Sequence, residues 1–238
     1  MILDLILPCD AERAKKDNLP LVIPAGGLAY HGPCQSLGCD SLVVEGLLYE
    51  LAQEKEMMIA PTIHYGPFFS LGADKSRSAS MDKRAFEGYV YCIFKAFLFE
   101  GYRNIYVVTR QHLPQENEPS FASFCRAAAK RATTEYLEKT LGQGWWGSES
   151  YADYYERLEG ENNPFNWIKV LPLSLTAPQD RLELLERSVL SALYTSGASS
   201  FRYAGEEHWL AEIFRDADIE WGKEAVKQAL SYLDKAIQ

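Results

Sequence analysis

His31 and Asp40 stand nine positions apart in "AGGLAYHGPCQSLGCD" (25–40), a glycine-rich stretch directly after an apolar run. Imidazole nitrogen and carboxylate oxygen are the ligand types of a metal hydrolase, which leaves one coordination position open for water. The competing reading is a histidine satisfied by loop carbonyls and an aspartate that caps the helix starting at 41. A second polar group, His112 and Glu116 in "TRQHLPQEN" (109–117), follows the apolar run "RNIYVVT" (103–109). Its plain alternative is a solvated loop. His64, just before Tyr65 and Gly66, either lines the same pocket or is structural, and His208 in "GEEHWL" reads as a helix-face residue without a role. Cys34 beside His31 offers a nucleophilic dyad, although free cysteines more often serve as small buried hydrophobes. "GADKS" (72–76) lacks the spacing of a phosphate-binding loop.

The elements around these residues follow from periodicity. "LPLVIPAGG" (19–27) reads as a buried strand closed by glycines, and residues 40–55 carry Val43, Leu47, Leu48 and Leu51 at helical spacing. Residues 56–66 read as a second strand and 82–101 as a helix stopped by Gly101; 103–109 is the clearest strand of the chain. This β-α-β-α-β order predicts a parallel sheet with helices on its faces. Ligands of such sheets bind beyond the carboxyl ends of the strands. Loops 26–40, 64–78 and 109–117 therefore converge on one site, with His31, Asp40 and His112 at one sheet edge. Further on, the pattern predicts a helix at 121–142, an aromatic-rich segment at 142–167, a strand at 168–175, and helices at 178–195, 205–215 and 222–236. Trp145 and Trp146 read as core or subunit interface. With neither repeat nor low-complexity linker in view, residues 1–238 are expected to form a single domain.

Composition narrows the class of partner. The 33 acidic and 24 basic residues give a net charge of −9, and no basic stripe suggests nucleic acid. A small-molecule or protein partner is the better expectation. No apolar run approaches the ~20 residues of a membrane span, and "MILDLILPCD" is acidic where a signal peptide is basic. Five cysteines without a CxxC pair read as reduced thiols, which predicts a cytoplasmic protein.

The motifs resemble those of the creatininase (creatinine amidohydrolase) family. In "VIPAGGLAYHGPCQSLGCD", Pro24, Gly26, His31, Gly32, Pro33, Gly38 and Asp40 fall in register with the family's Pro-x-Gly-Ser, Glu-x-His-Gly and Gly-Thr-Asp. "APTIHYG" matches its Pro-x-x-Tyr-Gly through Pro61, Tyr65 and Gly66. "GYRNIYVVTRQHLPQEN" supplies Gly101, Tyr102 and Arg103, then His112 and Asn117. The resemblance spans residues 20 to about 117. It implies a three-layer α/β fold, mostly parallel in its sheet with helices on both faces, and a two-metal site that hydrolyses a C–N bond with metal-bound water. It also implies a homo-oligomer, often a hexamer.

Two departures bear on that expectation. The family's first glutamate falls on Ala29, which cannot bind metal. The third motif is longer than its counterpart, so Gln111 competes with His112 for the ligand position and Leu113 with Glu116. The resulting expectation is an amidohydrolase for a small cyclic or linear amide. Asp40 and His112 would be catalytic, His31, Asp40, His112 and Glu116 would be metal ligands, and at most one Zn²⁺ or Mn²⁺ would bind per chain. The alternative is a catalytically impaired member that binds a metabolite or serves an assembly; a thiol hydrolase built on Cys34 is a third reading. Arg110 favours the alternative. It stands where the family has a glycine, directly after the strand, and predicts a guanidinium paired with Asp40 in place of metal.

Overall fold

The computed structural model describes residues 1–31, 35–67, 81–110, 120–145, 163–175, 177–178, 181–196 and 214–238. Among these, four strands form one sheet: β1 (Leu21–Ala25), β2 (Met58–Ile59), β3 (Ile105–Thr109) and β4 (Ile168–Pro172). They lie in the order β2-β1-β3-β4, and every pairing is parallel. The anticipated strands are thus neighbours, with β1 in the centre. The second is shorter than its apolar pattern: Pro61 has no N–H to donate to a ladder, and the chain meets β1 again only at Ile63, opposite Ala25.

Six helices accompany the sheet among the described residues: α1 (Pro8–Lys16), α2 (Cys39–Leu51), α3 (Lys83–Phe99), α4 (Phe121–Leu141), α5 (Leu182–Ser196) and α6 (Ile219–Ala236). Both central strands are buried along their whole length, so each sends alternate side chains into two different cores. Val22, Tyr106 and Val108 join Val43, Leu47, Leu185, Val189 and Leu233 on the face of α2, α5 and α6. Leu21, Ile23, Ile105 and Val107 join Phe86, Phe94, Phe121 and Cys125 on the face of α1, α3 and α4. The result is the expected three-layer α/β arrangement. No helix among the described residues is long and apolar enough to cross a membrane.

Two local devices set the ends of the elements. Asp82 caps α3 by accepting hydrogen bonds from the N–H groups of Arg84 and Ala85, and Gly101 leaves it at φ +97°, a conformation that disfavours other residues. Gly26 lets β1 end against α2. A Cβ there would lie 2.5 Å from the Ser41 nitrogen and 2.6 Å from the Asp40 carbonyl carbon. That close approach delivers the first turn of α2 to the sheet edge.

Candidate functional site

Asp40 was read either as a ligand or as a helix cap. The capping alternative is overturned: α2 begins at Cys39 after Gly38, and no side chain caps it. Asp40 instead sits inside the first turn, where the positive end of the helix favours a carboxylate, and it is fully buried. His31 reaches the same point from the loop after β1, a loop closed by the Ala29 N–H donating to the Leu37 carbonyl at 2.9 Å. Arg110 is the first residue beyond β3. Its backbone N–H donates to the Ala25 carbonyl at 3.0 Å, which continues the β1–β3 ladder and fixes where its side chain starts. Glu186 enters from the first turns of α5, and the Gln35 side-chain amide donates to the Glu183 carbonyl at 3.1 Å, tying the His31 loop to that helix.

These four side chains meet in a closed cycle. Arg110 Nη1 donates to Asp40 Oδ1 and Nη2 to Glu186 Oε1, each at 2.5 Å. His31 Nε2 lies 3.2 Å from Asp40 Oδ2, and its Nδ1 lies 3.4 Å from Glu186 Oε2. The side chains of His31, Asp40 and Glu186 have no solvent exposure, and that of Arg110 has 4%. The expected Arg110–Asp40 pair is therefore present, but it is half of a larger arrangement. Glu186 escaped the sequence reading although a signal existed. It interrupts the buried face formed by Leu182, Leu185, Val189 and Leu193, where a charged residue needs a partner.

The protonation states follow from the contacts. Burial opposes charging His31, but Asp40 and Glu186 outweigh it and raise its pKa to about 9, so the imidazole is protonated at neutral pH. Burial likewise opposes ionising Asp40, yet Arg110 and His31 hold its carboxyl below the ordinary range. The Arg110 guanidinium, desolvated but flanked by two carboxylates, has its pKa raised further. Cys39, buried beside this group, has its thiol pushed well above the usual value, by burial first and by the charge of Glu186 second.

His31, Cys39 and Glu186 each bring one ligating atom within 4.8 Å of the others, a possible metal site. Its donors fit a metal poorly in their present states. A doubly protonated imidazole has no lone pair to give and a thiol must first become a thiolate, while Arg110 already engages Glu186 Oε1. Ala29, at the position of the family's first glutamate, is a buried apolar residue.

The remaining candidates are dispersed. His64 does not join the cycle. It lies 3.8 Å from Glu45 Oε1, half-exposed, and that carboxylate also accepts the Thr62 hydroxyl. Trp145 is buried, in keeping with a core role. His112, Glu116, Gln111, Leu113, Cys34, Trp146 and His208 lie outside the described residues.

The sequence profile of the creatininase family, described as creatinine amidohydrolase, matches residues 8–167. The chain belongs to the creatininase family. Its fold is that of the solved creatininases. One structure of creatinine amidohydrolase (creatininase) is 15% identical, with a TM-score of 0.67 over 99% of this chain and 96% of that one. A structure described as "Creatininase Mn" is 16% identical, with a TM-score of 0.67 over the same shares. A putative creatinine amidohydrolase from Bacteroides fragilis is 13% identical, with a TM-score of 0.59 over 100% of this chain and 94% of that one. A search of curated proteins finds no match. Creatininase-family membership supports an amidohydrolase-type function, and Glu186 lies beyond the segment that the profile matches.

Proposed function

We propose that this chain is a catalytically impaired member of the creatininase family, which binds a small amide-type metabolite and hydrolyses it poorly or not at all. The observation that carries this reading is the engagement of Arg110 with both Asp40 and Glu186. Metal-assisted amide hydrolysis needs a cation with an open position, so that bound water loses a proton near neutral pH and the carbonyl is polarised. Here Asp40, which the resemblance makes the central carboxylate, has one oxygen on a guanidinium and the other facing His31. A guanidinium supplies charge but no coordination position, and its N–H groups are already directed at carboxylates.

A second reading has a specific observation in its favour, the proximity of His31, Cys39 and Glu186. In it the protein is a metal-dependent amidohydrolase of a cyclic or linear amide. His31, Asp40, His112 and Glu116 serve as ligands, Asp40 and His112 as catalytic groups, and one Zn²⁺ or Mn²⁺ binds per chain. Solved relatives are described as "Creatininase Mn" and as a "Zn-Zn type". Both readings take the protein as a cytoplasmic homo-oligomer, as the family resemblance and the reduced cysteines suggest.

Protein purified without chelator separates the two. Metal content is measured by mass spectrometry, and hydrolysis of creatinine and a panel of cyclic and linear amides by amine release. The first reading predicts substoichiometric metal and no turnover above background. Stoichiometric metal together with turnover that an Asp40→Asn substitution abolishes would establish the second.

A further inference from the structure

We propose that Arg110 stands as a resident cation in place of metal, held between Asp40 and Glu186 so that divalent ions are kept out of the centre. This deepens the reading above: it explains the lost chemistry by a specific exclusion, and it concerns metal binding rather than turnover.

The connectivity is the first argument. Arg110 donates one hydrogen bond to Asp40 and one to Glu186, and the second oxygen of each carboxylate lies within 3.4 Å of a His31 nitrogen. One guanidinium thus serves both carboxylates, and its charge is permanent. A divalent ion added beside it would set like charges together in a fully buried space, where charges are screened least.

Permanence is the second. A lysine or histidine can surrender its proton to make room for a metal, whereas a guanidinium cannot. Arg110 could yield only by swinging away, which would leave Asp40 and Glu186 to the incoming ion. Its backbone is pinned to Ala25 by the ladder bond, so the guanidinium starts from a fixed point at the sheet edge.

Origin is the third. The four side chains come from four separate parts of the fold: the loop after β1, the first turn of α2, the residue after β3, and α5. Glu186 comes from beyond the profile-matched segment. It supplies the second carboxylate that makes the cycle close. With Asp40 alone, the Arg110 guanidinium would bond one carboxylate where it now bonds two.

The test uses equilibrium dialysis of the full chain against Zn²⁺ or Mn²⁺, read by metal content and by the thermal shift each ion causes. Wild type is expected to retain neither metal and to show no shift. Arg110→Ala is expected to take up about one Zn²⁺ per chain and to be stabilised by it, as a ligand that binds only the folded state requires. Methylguanidinium, which fits the space left by the substitution, should compete with Zn²⁺ for the variant and leave wild type unaffected. Arg110→Gln, smaller and neutral but able to hydrogen-bond both carboxylates, takes the place of Arg110→Ala if that variant is insoluble. Zn²⁺ uptake by wild type that Asp40→Asn or Glu186→Gln abolishes would overturn the proposal, and so would equal uptake by wild type and the Arg110 variants. The two readings fail separately. Turnover by metal-free wild type would sink impaired catalysis and leave the exclusion standing, while metal bound without turnover would do the reverse.

Discussion

Replacing Arg110 by methionine removes the guanidinium while keeping an unbranched apolar stem of similar length. Asp40 and Glu186, both without solvent exposure, then face each other across His31. Removing one partner of a buried ion pair costs about 3–5 kcal/mol. The cost has a ceiling, because one carboxyl can take a proton instead of staying charged. From an ordinary pKa of about 3.9, protonation at pH 7 costs about 4 kcal/mol and at pH 5 about 1.5 kcal/mol. We therefore expect a loss of about 3–4 kcal/mol at pH 7, or roughly 10 °C in Tm for a chain of this size. The orphaned carboxyl has a raised folded-state pKa, so its contribution to stability is present at low pH and lost as pH rises. The deficit should accordingly shrink by about 2–3 kcal/mol between pH 7 and pH 5. Adding Glu186→Gln to Arg110→Met removes the surplus negative charge and should recover part of the loss. Urea denaturation at the two pH values measures all of this. A loss below about 1 kcal/mol, or one of equal size at both pH values, would mean that the cycle contributes packing and not charge.

Three further predictions concern His31, Gly26 and the cysteines. The pKa of His31 is raised from 6.5 to about 9, so the stability it contributes is full below its unfolded-state value and is lost as pH rises through about 9; His31→Gln should flatten that alkaline limb in a pH series of thermal melts. Gly26→Ala puts a Cβ 2.5 Å from the Ser41 nitrogen, a backbone atom that cannot turn aside, and should cost about 1–3 kcal/mol in urea denaturation; a fully stable variant would show that α2 is free to retreat from the strand. Among the described cysteines, Cys9 and Cys92 are exposed while Cys39 and Cys125 are buried with raised thiol pKa values, so iodoacetamide at neutral pH should label the first pair and spare the second, as read by peptide mass spectrometry.

The central strands were legible because both are continuous apolar runs, and a parallel sheet buries such runs on both faces. The helices α2 to α4 were legible to within a few residues, since each is a long segment with apolar residues at helical spacing and the last two run into Gly101 and Gly142. Helix α1 was not anticipated. It buries only Ala14, and its sequence PCDAERAKK is mostly polar, so no apolar run announces it. At the site, His31 and Asp40 stood out by type and loop position, and Arg110 by the charge imbalance that Asp40 would otherwise suffer. Glu186 did not, because it is remote in sequence and belongs to a helix whose acidic residues otherwise suggest a solvated face. Position in a helix could be read locally. The partner that makes a buried carboxylate affordable lies 76 residues away at Arg110, and only the fold brings the two together.

The most direct measurement is a crystal structure of the wild-type chain grown with excess Zn²⁺, with diffraction recorded on both sides of the zinc absorption edge. The account predicts continuous density for the Arg110 guanidinium within hydrogen-bond distance of Asp40 and Glu186, His31 between the same two carboxylates, and no anomalous peak in the centre. An anomalous peak coordinated by Asp40 or His31, with Arg110 turned out of the cycle, would contradict it.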